Sequence, residues 1–202
     1  MSIACTSPRV LAETIRTAWV RDIALVAVSV AFIAGAAQVS IPLPFSPVPL
    51  TGQTFAVLLS CAALGTWRSV IATSSYALLA VAGLPVLAPQ SDGTHVTGIA
   101  VFSMASLGYV LGFVVSAFVV GRLAERGWTK SPLRTALVMA LGNVAIYAVG
   151  VPVLALMTGA NATTALEWGL FPFVIGDAIK IALAAGLLPS IWAALSSFQR
   201  KH

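Results

Sequence analysis

Six apolar stretches, at residues 23–41, 53–67, 69–84, 100–121, 135–157 and 171–195, fill most of the chain. This feature leaves few folds open. In hydrocarbon every backbone N–H and C=O must be satisfied inside a helix or a closed barrel, and no strand-period alternation offers the barrel. Stretches of about 20 apolar residues are therefore read as helices that cross a bilayer. The second and third are short and only Arg68 separates them, which predicts a tight helical hairpin. A soluble alternative is excluded by composition. The chain is 59% hydrophobic and 8% charged, whereas soluble domains carry about 25% charged residues. The expected fold is all-α: residues 1–202 form a single integral membrane domain, a polytopic bundle of about six transmembrane helices.

The segment 1–22 is read as a short amphipathic lead-in. Over 10–21, Leu11, Ile15 and Trp19 share one helical face, while Arg9, Arg16 and Arg21 reach lipid phosphates. A signal peptide ending at Ala34-Gly35-Ala36-Ala37 is the competing reading, but a long lead carrying Glu13 and Asp22 argues against it. Cys5 and Cys61 have no metal-ligand spacing and suggest no disulfide; no metal or cofactor is expected.

The basic residues set the orientation. Arg9, Arg16, Arg21, Arg68, Arg122, Arg126, Lys130, Arg134, Arg200 and Lys201 all fall on one side of a six-span topology. The opposite segments, 42–52, 85–99 and 158–170, hold no lysine or arginine. The positive-inside rule then places both termini in the cytoplasm. It also accounts for the net charge of +5 without nucleic acid as a partner.

One basic residue remains, Lys180, near the outer end of the sixth span and three residues after Asp177. Spacing i, i+3 puts both on one helix face. Ionisable groups at membrane depth mark functional sites by default; the alternative is a structural ion pair. The first outer segment, Ile41-Pro42-Leu43-Pro44-Phe45-Ser46-Pro47-Val48-Pro49-Leu50, is stiff and apolar, suited to wall a pocket for a partly apolar ligand. Thr51 and Gln53 follow it at the level of Asp177, with an N-cap role for Thr51 equally open. The second outer segment, around His95, reads as a mobile solvated loop, and Asn161-Ala162-Thr163 as a chance sequon. Small residues mark close helix contacts: Ala27, Ala31 and Gly35 in span one, and Gly108, Gly112 and Ser116 in span four. The second set suits packing within the bundle. The first suits either internal packing or a partner helix.

Residues 37–55, Ala-Gln-Val-Ser-Ile-Pro-Leu-Pro-Phe-Ser-Pro-Val-Pro-Leu-Thr-Gly-Gln-Thr-Phe, resemble the signature of the BioY family, the biotin-specific substrate-binding (S) components of energy-coupling factor transporters. Segments 82–86, 108–113 and 172–180 follow in the family's order. Before span four the family's Gly-Pro-Thr-Gly-Gly-Tyr-like stretch is replaced by Met104-Ala105-Ser106-Leu107-Gly108-Tyr109, which keeps a hydroxyl at Ser106. The resemblance implies biotin as ligand near the outer surface of a multi-pass plasma (inner) membrane protein. Asp177 would accept from the ureido N–H groups, Lys180 would donate to the ureido oxygen or the carboxylate, and Gln53 would add a donor and an acceptor. Tyr109, Tyr147 and Phe45 would wall the ring, with Asn143 a further candidate. It also implies partners: a membrane coupling protein, docked on Ala27, Ala31 and Gly35, and two ATP-binding subunits. Three other functions compete. An ion-driven secondary transporter would spread charge over several spans. An intramembrane enzyme would need a group to activate Ser103 or Ser106. A binding component for another vitamin would lack the proline-rich signature.

Overall fold

The computed structural model describes residues 18–90 and 92–199. Most of the expected amphipathic lead-in, with Arg9, Leu11, Ile15 and Arg16, lies outside the described residues, as do Arg200 and Lys201. Among the described residues seven helices build the bundle: α1 (Ala18–Gln38), α2 (Gln53–Leu64), α3 (Thr66–Val81), α4 (Leu107–Glu125), α5 (Pro132–Thr158), α6 (Ala162–Gly169) and α7 (Phe171–Gln199). Helices α1, α4, α5 and α7 are long and apolar enough to cross a membrane. α2 and α3 are shorter and form the expected hairpin, which breaks at Gly65 rather than at Arg68. Gly65 adopts φ 81°, ψ 179°, a conformation open to glycine, and serves both as the end of α2 and the start of α3.

One end of the bundle gathers the arginines and is fastened by polar contacts. Glu125, at the end of α4, accepts the backbone N–H of Thr66 at 2.8 Å and so caps α3. Arg68 pairs with Asp22 of α1 at 3.2 Å. α4 presses against the hairpin turn so closely that a Cβ on Gly121 would lie 2.6 Å from Thr66 Cα. Along its length α4 also meets α5 through glycine. A Cβ on Gly112 would sit 2.8 Å from the Ile146 carbonyl oxygen, and one on Gly108 would collide with Val153. The small face of span four is thus a helix contact inside the bundle.

Two boundaries differ from the sequence reading. The fourth span begins at Leu107, because Gly98 (φ 65°) starts a short 3-10 turn over Gly98–Ser103 and Met104 is extended. Residues 158–170 are not a plain loop: they contain α6, started by Asn161, whose side chain accepts from the Thr164 N–H at 2.9 Å. The proline-rich segment is closed by two-residue strands, β1 (Ser40–Ile41) and β2 (Leu50–Thr51), paired antiparallel with Ser40 opposite Thr51. Tyr76, Val57, Val120, Met139, Ile146 and Leu154 fill the core. Ile175, Ile179, Leu183 and Leu187 make an exposed apolar stripe on α7, as a lipid-facing helix requires.

Candidate functional site

The end opposite the arginines carries a cleft. β2 and the start of α2, the segment after α3, the start of α4, the second half of α5 and the start of α7 line it. Its apolar wall includes Val48, Pro49, Leu87, Val110, Phe113 and Phe173, and its polar groups are Thr51, Gln53, Thr54, Gln90, Ser106, Tyr109, Tyr147 and Lys180. About 610 Å³ between these residues is free of atoms, the open mouth included. This mixture of an apolar wall with few polar groups suits a small organic ligand.

Asp177 is 5% exposed and stands behind the wall rather than on it. A buried carboxylate needs donors, and three converge on this one. Tyr147 donates to Oδ2. Lys180 Nζ and the Thr54 hydroxyl donate to Oδ1 at 3.3 and 3.4 Å. Lys180 also donates to the Thr51 carbonyl at 2.9 Å and to Thr54 Oγ1 at 2.7 Å, so the ammonium is held between α2 and α7. Because the Tyr147 proton goes to Asp177, the Tyr147 oxygen keeps its lone pairs for the cleft. The carboxylate therefore acts on the cleft through a hydroxyl and an ammonium.

Tyr109 closes the side of the cleft. Its hydroxyl donates to the Gly169 carbonyl at 2.8 Å, tying α4 to α6. Its ring meets Tyr147 edge to face, with centroids 6.3 Å apart, and tilts over Phe173 at 6.5 Å.

The model of the BioY family matches residues 8–197. The chain belongs to the BioY family. Among its relatives is "Biotin transporter BioY" of Rhizobium etli, 35% identical over 173 residues, covering 82% of this chain and 89% of the relative. The "Biotin transporter BioY" of Thermotoga maritima is 39% identical over 159 residues, covering 77% and 86%. The crystal structure of "the S-component for biotin from an ECF-type ABC transporter" superposes with a TM-score of 0.74 at 27% identity, covering 86% of this chain and 92% of that one. The fold is thus that of an S-component, in a multi-pass membrane protein.

Within this BioY fold the structure brings Thr51, Gln53, Ser106, Tyr109, Tyr147 and Lys180 onto one cleft. It does not bring Phe45 there. Phe45 is 56% exposed, because the Ser46 hydroxyl donates to the Trp168 carbonyl at 2.8 Å and leaves Val48 and Pro49 to face the cleft. Asn143 is buried one helical turn below Tyr147, beside a separate small void with Thr54 and Lys180. Thr51 is not the N-cap of α2, a place Gly52 takes; its hydroxyl makes a local bond, accepting the Gln53 N–H at 3.3 Å. Ala27, Ala31 and Gly35 are exposed, Ala27 and Ala31 along an apolar groove between α1 and α3, so α1 does not use them for packing inside the bundle.

The sequence reading missed several cleft residues. Thr54 carries no signal beyond its place next to Gln53. Leu87, Ala88 and Gln90 come from the segment expected to be mobile. That segment is pinned: His95 Nδ1 donates to the Leu87 carbonyl at 2.9 Å, and Gln90 and Thr94 close a turn. Outside the membrane, the Thr94 hydroxyl and N–H hold the Asp92 carboxyl below its ordinary range.

Proposed function

We propose that this chain is the membrane-embedded biotin-binding subunit of an energy-coupling factor transporter, capturing biotin at the outer surface for import. The observation that carries this reading is the buried Asp177 charge behind an apolar cleft, presented to it through Tyr147 and Lys180. Biotin matches that pattern. Its bicyclic body suits the apolar wall. Its ureido N–H groups suit the Tyr147 oxygen, whose acceptor strength the neighbouring carboxylate raises. Lys180 suits the ureido oxygen or the carboxylate, and Gln53, Thr51 and Ser106 supply further neutral contacts. Asn143 lines a small void next to Lys180, away from the cleft.

In this reading the cleft opens outward, the arginine end faces the cytoplasm together with both termini, and the membrane is the plasma (inner) membrane. The sequence holds no Walker motif, so ATP hydrolysis belongs to two partner subunits and its work reaches this chain through a membrane coupling protein. Small, exposed Ala27, Ala31 and Gly35 offer a helix of that protein close approach. The chain itself breaks no covalent bond. Titration of biotin into the purified protein by calorimetry tests the reading. Saturable binding to one site is expected, and a folded, monodisperse protein with no heat of binding overturns it.

A further inference from the structure

Tyr76 belongs to α3 and is wholly buried, off the cleft wall, yet its hydroxyl sits in a chain of hydrogen bonds that ends in the cleft. The Val86 carbonyl, 3.0 Å away, can only accept, so it takes the phenol proton. The Tyr76 oxygen can then only accept, and the group facing it is Gln53 Nε2. At the other end of the same amide, the Thr51 hydroxyl accepts the Gln53 backbone N–H at 3.3 Å and gives its own proton to Gln53 Oε1 at 3.1 Å. Both ends of the amide are thereby assigned. Turning it over would set two acceptors face to face, unless Tyr76 released Val86.

We propose that Tyr76 is a positioning residue of the ligand cleft, fixing the Gln53 amide so that it offers the ligand one N–H and one lone pair in set places. The proposal rests on the biotin reading above. The hydroxyl also holds Val86, the residue before Leu87 of the cleft wall, so the amide and the segment after α3 are set by one oxygen.

The test is a cycle on the full chain: Tyr76→Phe, Gln53→Ala and the double variant, with biotin affinity read by calorimetry. Tyr76→Phe keeps the ring and loses the hydroxyl. A rise in Kd of about 2- to 10-fold is expected, the scale of one neutral hydrogen bond, and it should vanish in the Gln53→Ala background. An equal rise in both backgrounds shows that Tyr76 acts by packing or through Val86 and not through Gln53, and overturns the proposal, as does unchanged affinity of the single variant. A second readout needs no ligand. In protein labelled with 15N-glutamine, the two side-chain N–H resonances of Gln53 should be well separated and should move toward those of a free amide in Tyr76→Phe. An unchanged spectrum overturns the positioning role. Failure of the unaltered chain to bind biotin would instead sink the biotin reading, and the spectrum would still decide the role of Tyr76.

Discussion

Replacing Asp177 by asparagine keeps size and shape while removing the charge that organises the cleft. Three donors now converge on the carboxylate: Lys180 at 3.3 Å, Thr54 at 3.4 Å and Tyr147. An asparagine supplies one acceptor oxygen and an NH2. With the NH2 toward Tyr147, the phenol must accept, and its proton turns into the cleft where a ligand donor expects an acceptor. With the oxygen toward Tyr147, the NH2 faces the Lys180 ammonium. Either arrangement forfeits one hydrogen bond of the charge-assisted kind, about 1.5–3 kcal/mol. If the whole loss falls on the complex, Kd for biotin rises roughly 10- to 150-fold. Lys180→Met should also weaken binding, since it removes a donor and leaves Asp177 uncompensated. The rival account, a purely structural ion pair, makes a different forecast. Single changes then lower stability, and the double variant Asp177→Asn, Lys180→Met recovers it with affinity intact. Calorimetric titration of the single and double variants, each monodisperse on size exclusion, separates the two accounts. Affinity of the unaltered chain in a well-folded double variant would refute the reasoning.

Three further outcomes are expected. With the arginine end in the cytoplasm, as proposed from the positive-inside rule, a single cysteine at position 130 should resist an impermeant thiol reagent in intact cells while one at position 95 reacts; strong labelling at 130 from outside would reverse the topology. Ala27→Leu or Ala31→Leu should abolish uptake and leave biotin binding unchanged; normal assembly of both variants with the coupling protein would remove that face from docking. Gly112→Ala should destabilise the detergent-solubilised protein by about 1–3 kcal/mol, the usual scale of overpacking, because the added Cβ would stand 2.8 Å from the Ile146 carbonyl oxygen; an unshifted melting temperature would show that α4 and α5 part easily.

The bilayer made much of the fold legible. Backbone groups that find no partner in lipid force each apolar stretch into a helix, and the arginines then order the ends. The short hairpin, though not its break at Gly65, and the small face of span four could also be read from the sequence. Legibility stopped where direction depends on a distant segment. Whether Phe45 or Val48 enters the cleft depends on a hydroxyl at Ser46 meeting a carbonyl at Trp168, far along the chain, and an extended segment carries no period that reveals it. The segment around His95 looked mobile because it is polar; what holds it is the carbonyl of Leu87, which has no signature in sequence.

The candidate site shows the same division at the scale of atoms. An aspartate and a lysine one turn apart in an apolar span stand out, because membrane depth makes such residues costly. That same cost governs how they are used. A carboxylate at this depth is stable only when its lone pairs are occupied, and Tyr147, Thr54 and Lys180 occupy them from two other helices and its own. Once satisfied, Asp177 has little surface left to touch a ligand. Its charge reaches the cleft as polarisation of the Tyr147 hydroxyl and as the fixed place of the Lys180 ammonium. Gln53 follows the same logic without charge, its amide held by Thr51 and Tyr76. Asp177 is therefore a residue that orients, while Lys180 is both held in place and turned to the cleft. In the biotin reading the atoms offered to the ligand belong, Lys180 apart, to their neutral neighbours, whose hydroxyls and amides look ordinary until the fold assigns each proton a destination.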